Sequence, residues 1–157
     1  MMYTLEDKKI IPVLKPGDYA GSGNGAGINV TGAHHVTFII SGAAQTDGDA
    51  QVTVETGTAH DTMDGVITPK VYRTTAAAGA VGADATQAVA YEAGENYWKI
   101  LITDDLTYIV EVPVALVPED KKWMRLKIGD QGGGTNLSAV AIVYPRYKPS
   151  GTLVRTA

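Results

Sequence analysis

Strict alternation of apolar and polar residues limits this chain to one kind of fold more tightly than any other feature. In His35 to Glu55, HVTFIISGAAQTDGDAQVTVE, the residues Val36, Phe38 and Ile40 leave an extended backbone on one side. Thr37, Ile39 and Ser41 leave it on the other, and Val52 and Val54 resume the beat after a loop. A repeat of two belongs to a half-buried strand, whereas a helix spaces its apolar residues three and four apart. The segment therefore predicts two neighbouring strands. Gly42 and the cluster Thr46, Asp47, Gly48, Asp49 supply the turn chemistry, since Gly admits positive φ and Asp bonds its own backbone.

The same beat recurs along the chain. Trp98, Ile100 and Ile102 alternate with Tyr97, Lys99 and Leu101, and Leu106, Tyr108, Val110 and Val112 alternate with Thr107, Ile109 and Glu111. With Asp104 and Asp105 between them, the two runs predict a hairpin. Pro113 and Pro118 bracket 114–117 and turn the chain. Met124, Leu126 and Ile128 are expected to face inward, against outward Trp123, Arg125 and Lys127. Leu137 to Tyr144 is apolar on both sides, the pattern of a strand covered on both faces, and Pro145 ends it.

Elsewhere the signals are weaker. Val66 to Arg73 reads as one strand. Thr74 to Ala90 is rich in alanine, but Gly79 and Gly82 would each cost a helix about 1 kcal/mol and no amphipathic stripe emerges. It is read as a surface loop leading into a weak strand, Gln87 to Tyr91. Near the N-terminus Ile10, Ile11, Val13 and Leu14 form a short extended segment that Pro12 keeps off the centre of any sheet, so it is an edge strand or an arm. Removing 1–14 is expected to leave the core folded. The run Gly21 to Gly27 is read as a flexible bridge.

A chain of 157 residues suits one domain and can bury roughly 70% of its unfolded surface. Its eighteen glycines and closely spaced turn clusters favour an all-β architecture over a helical bundle. The expectation is a single-domain, jelly-roll-like β-sandwich with an extended N-terminal arm: 1–27 arm and glycine bridge, 28–148 sandwich core, 149–157 tail. A formal charge of −4 with scattered Lys and Arg argues against a nucleic-acid partner, which needs a concentrated basic face. The absence of Cys excludes disulfides and thiolate metal sites and suits a reducing cytoplasm. The first residues contain only a short apolar run, so neither a signal peptide nor a membrane partner is expected. Asn29-Val30-Thr31 and Asn136-Leu137-Ser138 match the glycosylation triplet but are read as ordinary turn-edge residues.

No catalytic, cofactor or metal site is expected. The glycine run lacks the strand–glycine–helix frame of a nucleotide loop, with Ala26 where the third Gly belongs. His34, His35 and His60 with Asp47, Asp49, Asp61 and Asp64 form the one metal-type set, yet adjacent histidines in a strand point to opposite faces. Asp47-Gly48-Asp49 opens like a calcium loop, but Thr58 stands where a bidentate Glu is needed. Ser22, Ser41 and Ser138 lie in no nucleophile elbow, and the acid pairs Asp104-Asp105 and Glu119-Asp120 sit in turns. Tyr97, Trp123, Tyr144 and Tyr147 are the aromatics that could stack on sugars; ordinary strand packing, with rings packed and polar tips in water, is the stronger reading.

The succession HHVTFIISGAAQTDGDAQVTVETG, a variable Ala- and Thr-rich middle, YWKILITDDL, KKWMRLKIGD, a Gly-rich loop and LSAVAIVYPRYKP resembles the short structural proteins of tailed-phage virions. It is most similar to the head decoration, or capsid-auxiliary, group, over about 28–148. The resemblance implies a protein without catalytic residues or cofactors, made in the host cytoplasm and placed on the capsid exterior. There it would bind the major capsid protein and stabilise the shell as a homotrimer or other symmetric cluster. A tail or head–tail junction protein, or a carbohydrate-binding module, is the alternative. Partner contacts are expected from Tyr3, Ile10, Ile11, Val13, Leu14, Arg146 and Tyr147, because an extended arm can add a strand to a neighbouring sheet and repetition multiplies weak contacts.

Overall fold

The structure is a computed structural model, and it describes residues 8–19, 23–42, 49–76, 80, 85–100, 106–129 and 136–146. These form twelve strands: β1 (Lys9–Asp18), β2 (Gly23–Asn24), β3 (Ile28–Asn29), β4 (Ala33–Gly42), β5 (Ala50–Gly57), β6 (Met63–Ile67), β7 (Lys70–Thr74), β8 (Thr86–Val89), β9 (Trp98–Ile100), β10 (Thr107–Pro113), β11 (Trp123–Gly129) and β12 (Asn136–Pro145). A single 3₁₀ turn, Val114–Leu116, follows β10. Sheet I runs β1-β12-β4-β10-β7-β8. Sheet II runs β2-β11-β5-β6, with β3 also on β11 and β9 also on β5. All the strand pairs are antiparallel. The chain is thus an all-β sandwich in one domain.

The inward residues are the alternating ones. Val36, Phe38 and Ile40 of β4, Tyr108, Val110 and Val112 of β10, and Ala139 and Ala141 of β12 line the inside of sheet I. Val52 and Val54 of β5, Trp98 and Ile100 of β9, and Met124, Leu126 and Ile128 of β11 line the inside of sheet II. One continuous core results, and the expected inward and outward sets of β4 and β11 are as observed.

Pairing differs from expectation in three places. β4 and β5 are not neighbours in a sheet: one belongs to each sheet, and their apolar sides share the core between them. β9 and β10 do not form a hairpin, because β9 lies on β5 in sheet II while β10 sits between β4 and β7 in sheet I. Val66 to Arg73 is not one strand. It divides at Thr68-Pro69 into β6 and β7, again in different sheets, since Pro69 has no N–H to offer a ladder.

The segment expected to be an arm is, from Lys9 to Asp18, the edge strand of sheet I. It pairs with β12 from Lys9 opposite Val143 to Asp18 opposite Asn136. Register shifts fall between Pro12 and Leu14 and between Leu14 and Gly17, and such a bulge lets two consecutive residues point the same way. Val13 and Leu14 accordingly both enter the core. Residues 1–7 lie outside the described residues.

The glycine bridge is also structural where it is described. The Gly25 N–H donates to the Leu126 carbonyl and the Ala26 N–H to the Val13 carbonyl, both at 2.8 Å, so the chain threads between the two sheets. A Cβ on Gly27 would lie 2.6 Å from the His60 carbonyl oxygen. Close backbone approach, rather than flexibility, explains that glycine.

Candidate interaction face

The outer surfaces of the two sheets differ in chemistry. On sheet II, β5 and β11 place Glu55 beside Arg125 and, one diagonal away, Lys127. Gln51 lies opposite Lys99 on the same sheet. This is a charged, ion-paired surface in which Glu55 is largely buried between its cations.

Sheet I presents apolar rows outward, set by strand register. Pro12, Val140, Ile39, Ile109 and Tyr72 lie side by side across β1, β12, β4, β10 and β7. The adjacent row is Ile10, Ile142, Thr37, Glu111 and Lys70. Ile10 is 48% exposed. Val140, Ile142, Ile39, Ile109 and Tyr72 are half-buried, shaded by neighbouring strands but covered by no layer of this chain among the described residues.

Hydroxyls border the apolar rows on one side, with Ser138 opposite Ser41 and Ser41 opposite Thr107. The other border is ionic and aromatic. The His35 Nε2–H donates to Glu111 Oε2, and the Thr37 hydroxyl donates to the same oxygen at 3.3 Å. Tyr144 meets the His34 and His35 rings edge-on at 6.2 and 5.6 Å, and the Lys8 ammonium sits 4.8 Å over its ring. His34 Nδ1 donates to the Pro145 carbonyl at 3.1 Å.

The described chain begins and ends at this corner. Lys8 lies over Tyr144, and the Arg146 N–H donates to the Gly32 carbonyl at 2.8 Å. Beside Arg146 is an open notch of about 270 Å³, lined by Gly32, Ala33, Val114, Val117 and Pro118 among others.

The residues proposed from sequence as partner contacts are divided by this geometry. Ile10 and Arg146 are exposed, on the outer face of sheet I and at its corner. Ile11 turns inward and packs against the core, and Val13 and Leu14 are core residues whose side chains are already occupied. Tyr3 and Tyr147 lie outside the described residues. Among the sugar-stacking candidates, Trp123 is half-buried, pairs in register with Gly57 and has the His60 ring edge-on at 5.8 Å. Tyr97 is half-buried beside β9.

Other titratable groups are placed structurally. Lys121 holds both oxygens of Asp64 at 2.7 Å; this bond lowers the Asp64 pKa below the usual carboxylate value and raises that of Lys121. Burial pushes the Tyr91 phenol up, and its hydroxyl donates to the Pro69 carbonyl at 2.7 Å. Among the described residues no three His, Asp or Glu side chains gather closely enough to hold a metal ion. No helix there is long and apolar enough to cross a membrane.

The apolar face was partly visible in the sequence, as the two-sided run Leu137 to Tyr144. The His35–Glu111–Thr37 contact was not, because its partners lie 76 and 74 positions apart and no local pattern joins them.

No protein-family model and no curated protein matches the chain. Among solved structures it is similar to the SPBc2 prophage-derived protein YomS, with a TM-score of 0.50 and 12% identity over 91% of this chain and 97% of that one. At that identity the likeness shows a shared fold.

Proposed function

We propose that this chain is a non-enzymatic structural component of a phage particle, which decorates the capsid exterior and stabilises it by binding the major capsid protein lattice as a symmetric oligomer. The observation that carries this reading is that the described residues begin, at Lys8, and end, at Arg146, at one corner of the sandwich, beside Tyr144. A body with two tails on one side can grip a repeating surface, and several bodies joined by symmetry multiply weak grips into firm attachment. The fold shared with a prophage-derived protein supports a phage origin.

The test is co-sedimentation with shells assembled from the major capsid protein of the same source, comparing the full chain with chains lacking 1–7 or 147–157. Saturable binding that falls at least about tenfold on removing either tail is expected. Absence of binding by the full chain overturns the reading. Half-buried Trp123 on the outside of sheet II supports a second reading, glycan binding, under which Trp123→Ala abolishes capture on a glycan array without changing the fold.

A further inference from the structure

β12 carries a sequence pattern for burial on both faces, yet among the described residues only its inner face is buried. Leu137, Ala139, Ala141 and Val143 are in the core, while Val140 and Ile142 stand half-exposed between Ile39 on one flank and Ile10 and Pro12 on the other. Strands of this kind occur where something covers the second side. From strand and residue spacings, the four rows from Tyr144 to Ser138 and five strands from β1 to β7, each given its full width, cover about 27 by 24 Å, or about 650 Å² in projection. That is comparable to the roughly 800 Å² of accessible surface each partner contributes to a standard interface. Its uncharged row through Val140 and the polar rows flanking it follow the usual interface anatomy.

The occupant that best fits is a second copy. A negatively charged chain meeting itself must avoid opposing its acids, and the register of this face achieves that. With a two-fold axis along the row Val140, Ile39, Ile109, Tyr72, each residue of that row meets its own counterpart. The ionic margin of one copy then falls on the hydroxyl margin of the other: Glu111 over Thr107, Thr37 over Ser41, Ile142 over Ser138. No like charges meet at these positions, and serine and threonine hydroxyls face the carboxylate. Such an interface is isologous and closes as a dimer. We infer that the outer face of sheet I is where two copies of this chain pack against one another about a two-fold axis; this deepens the symmetric oligomer of the reading above and rests on it.

The experiment is a mass measurement by sedimentation on the full chain, together with a cross-linking test that uses the lack of native cysteine. The expected mass is twice the chain's 16.5 kDa. Ile109→Glu, which sets two acids against each other at the axis, should weaken association at least about tenfold, whereas Gln51→Glu on the other sheet leaves it unchanged. Should Ile109→Glu fail to fold, Ile109→Cys decides: facing sheets lie about 10 Å apart, too far for a direct disulfide, so a short bismaleimide that spans this gap should yield a covalent dimer on a denaturing gel, and Gln51→Cys should not.

A monomeric wild type, or Ile109→Cys that stays uncross-linked, overturns the proposal. A trimeric mass overturns the two-fold pairing while leaving the symmetric oligomer intact. A dimer that ignores capsid shells supports this face and removes the capsid reading instead.

Discussion

Arg125 and Glu55 are joined across neighbouring strands on the outer face of sheet II. Arg125 Nε donates to Glu55 Oε2 at 2.8 Å, its terminal nitrogen reaches the same oxygen at 2.7 Å, and Lys127 Nζ lies 3.0 Å from Oε1. Glu55 is 8% exposed, so one nearly buried carboxylate serves two cations. Its surroundings make this contact more than a solvated surface pair, since removing the acid leaves two positive groups side by side in partial burial. Glu55→Gln should lose about 2 kcal/mol, a fall in Tm of roughly 4–8 °C. Thermal unfolding followed by circular dichroism checks this, and a change within 1 °C would show the pair to be energetically idle.

The Asp64–Lys121 pair ties edge strand β6 to the entry of β11, and it carries a pH signature. The carboxyl pKa is lowered by the ammonium bond, so its contribution is complete above the ordinary carboxylate pKa of 3.8 and is lost as pH falls through the lower folded value. The Lys121 pKa is raised, so its contribution is complete below the ordinary 10.5 and is lost as pH rises through the higher folded value. The stability gap between wild type and Asp64→Asn should therefore be widest between these limits and close at both extremes. Urea midpoints measured across pH test this; a gap that persists at strongly acid pH contradicts it.

Gly57 is required by contact. A Cβ there would stand 1.8 Å from the Thr62 carbonyl oxygen and 2.9 Å from the Met63 Cα, both backbone atoms that a side-chain rotation cannot clear. Gly57→Ala should cost about 2 kcal/mol or more through displacement of the β5–β6 pairing. Amide exchange in Met63–Ile67 should accelerate while β4 and β10 stay protected. Wild-type stability in the variant would mean that β6 yields without cost.

Truncation separates edge strand from tail. Deleting 1–14 removes Val13 and Leu14 from the core and half the partner of β12, a loss of roughly 3–6 kcal/mol from the two side chains alone. The sequence-based expectation that this deletion spares the core does not fit that burial. Deleting 1–7 removes neither residue and should leave the urea midpoint unchanged. Equal midpoints for the two truncations would count against β1 as a structural strand.

Much of the sandwich was legible before any coordinates. Val36, Phe38 and Ile40, and likewise Met124, Leu126 and Ile128, declare their inward direction by alternation, because successive side chains on an extended backbone must point to opposite faces. Pro113 and Pro118 marked a change of direction that the structure places around the 3₁₀ turn. The outward apolar face of sheet I was legible only in outline, through the two-sided apolar run of β12.

By itself, then, the sequence determined that the chain forms strands, which residues of the alternating runs enter the core, and that one strand is apolar on both sides. These properties depend on a few consecutive residues and the geometry of an extended backbone. Only the tertiary structure decided which strands are neighbours. β4 and β5, or β9 and β10, show the same alternation whether they pair edge to edge or face each other across a core, since both arrangements bury the same side chains. The choice was made by long-range partners: β12 and β10 flank β4, while β11, β6 and β9 flank β5. The same long-range choice brought Glu111 to His35 and assembled isoleucines and valines from four strands into one outward surface.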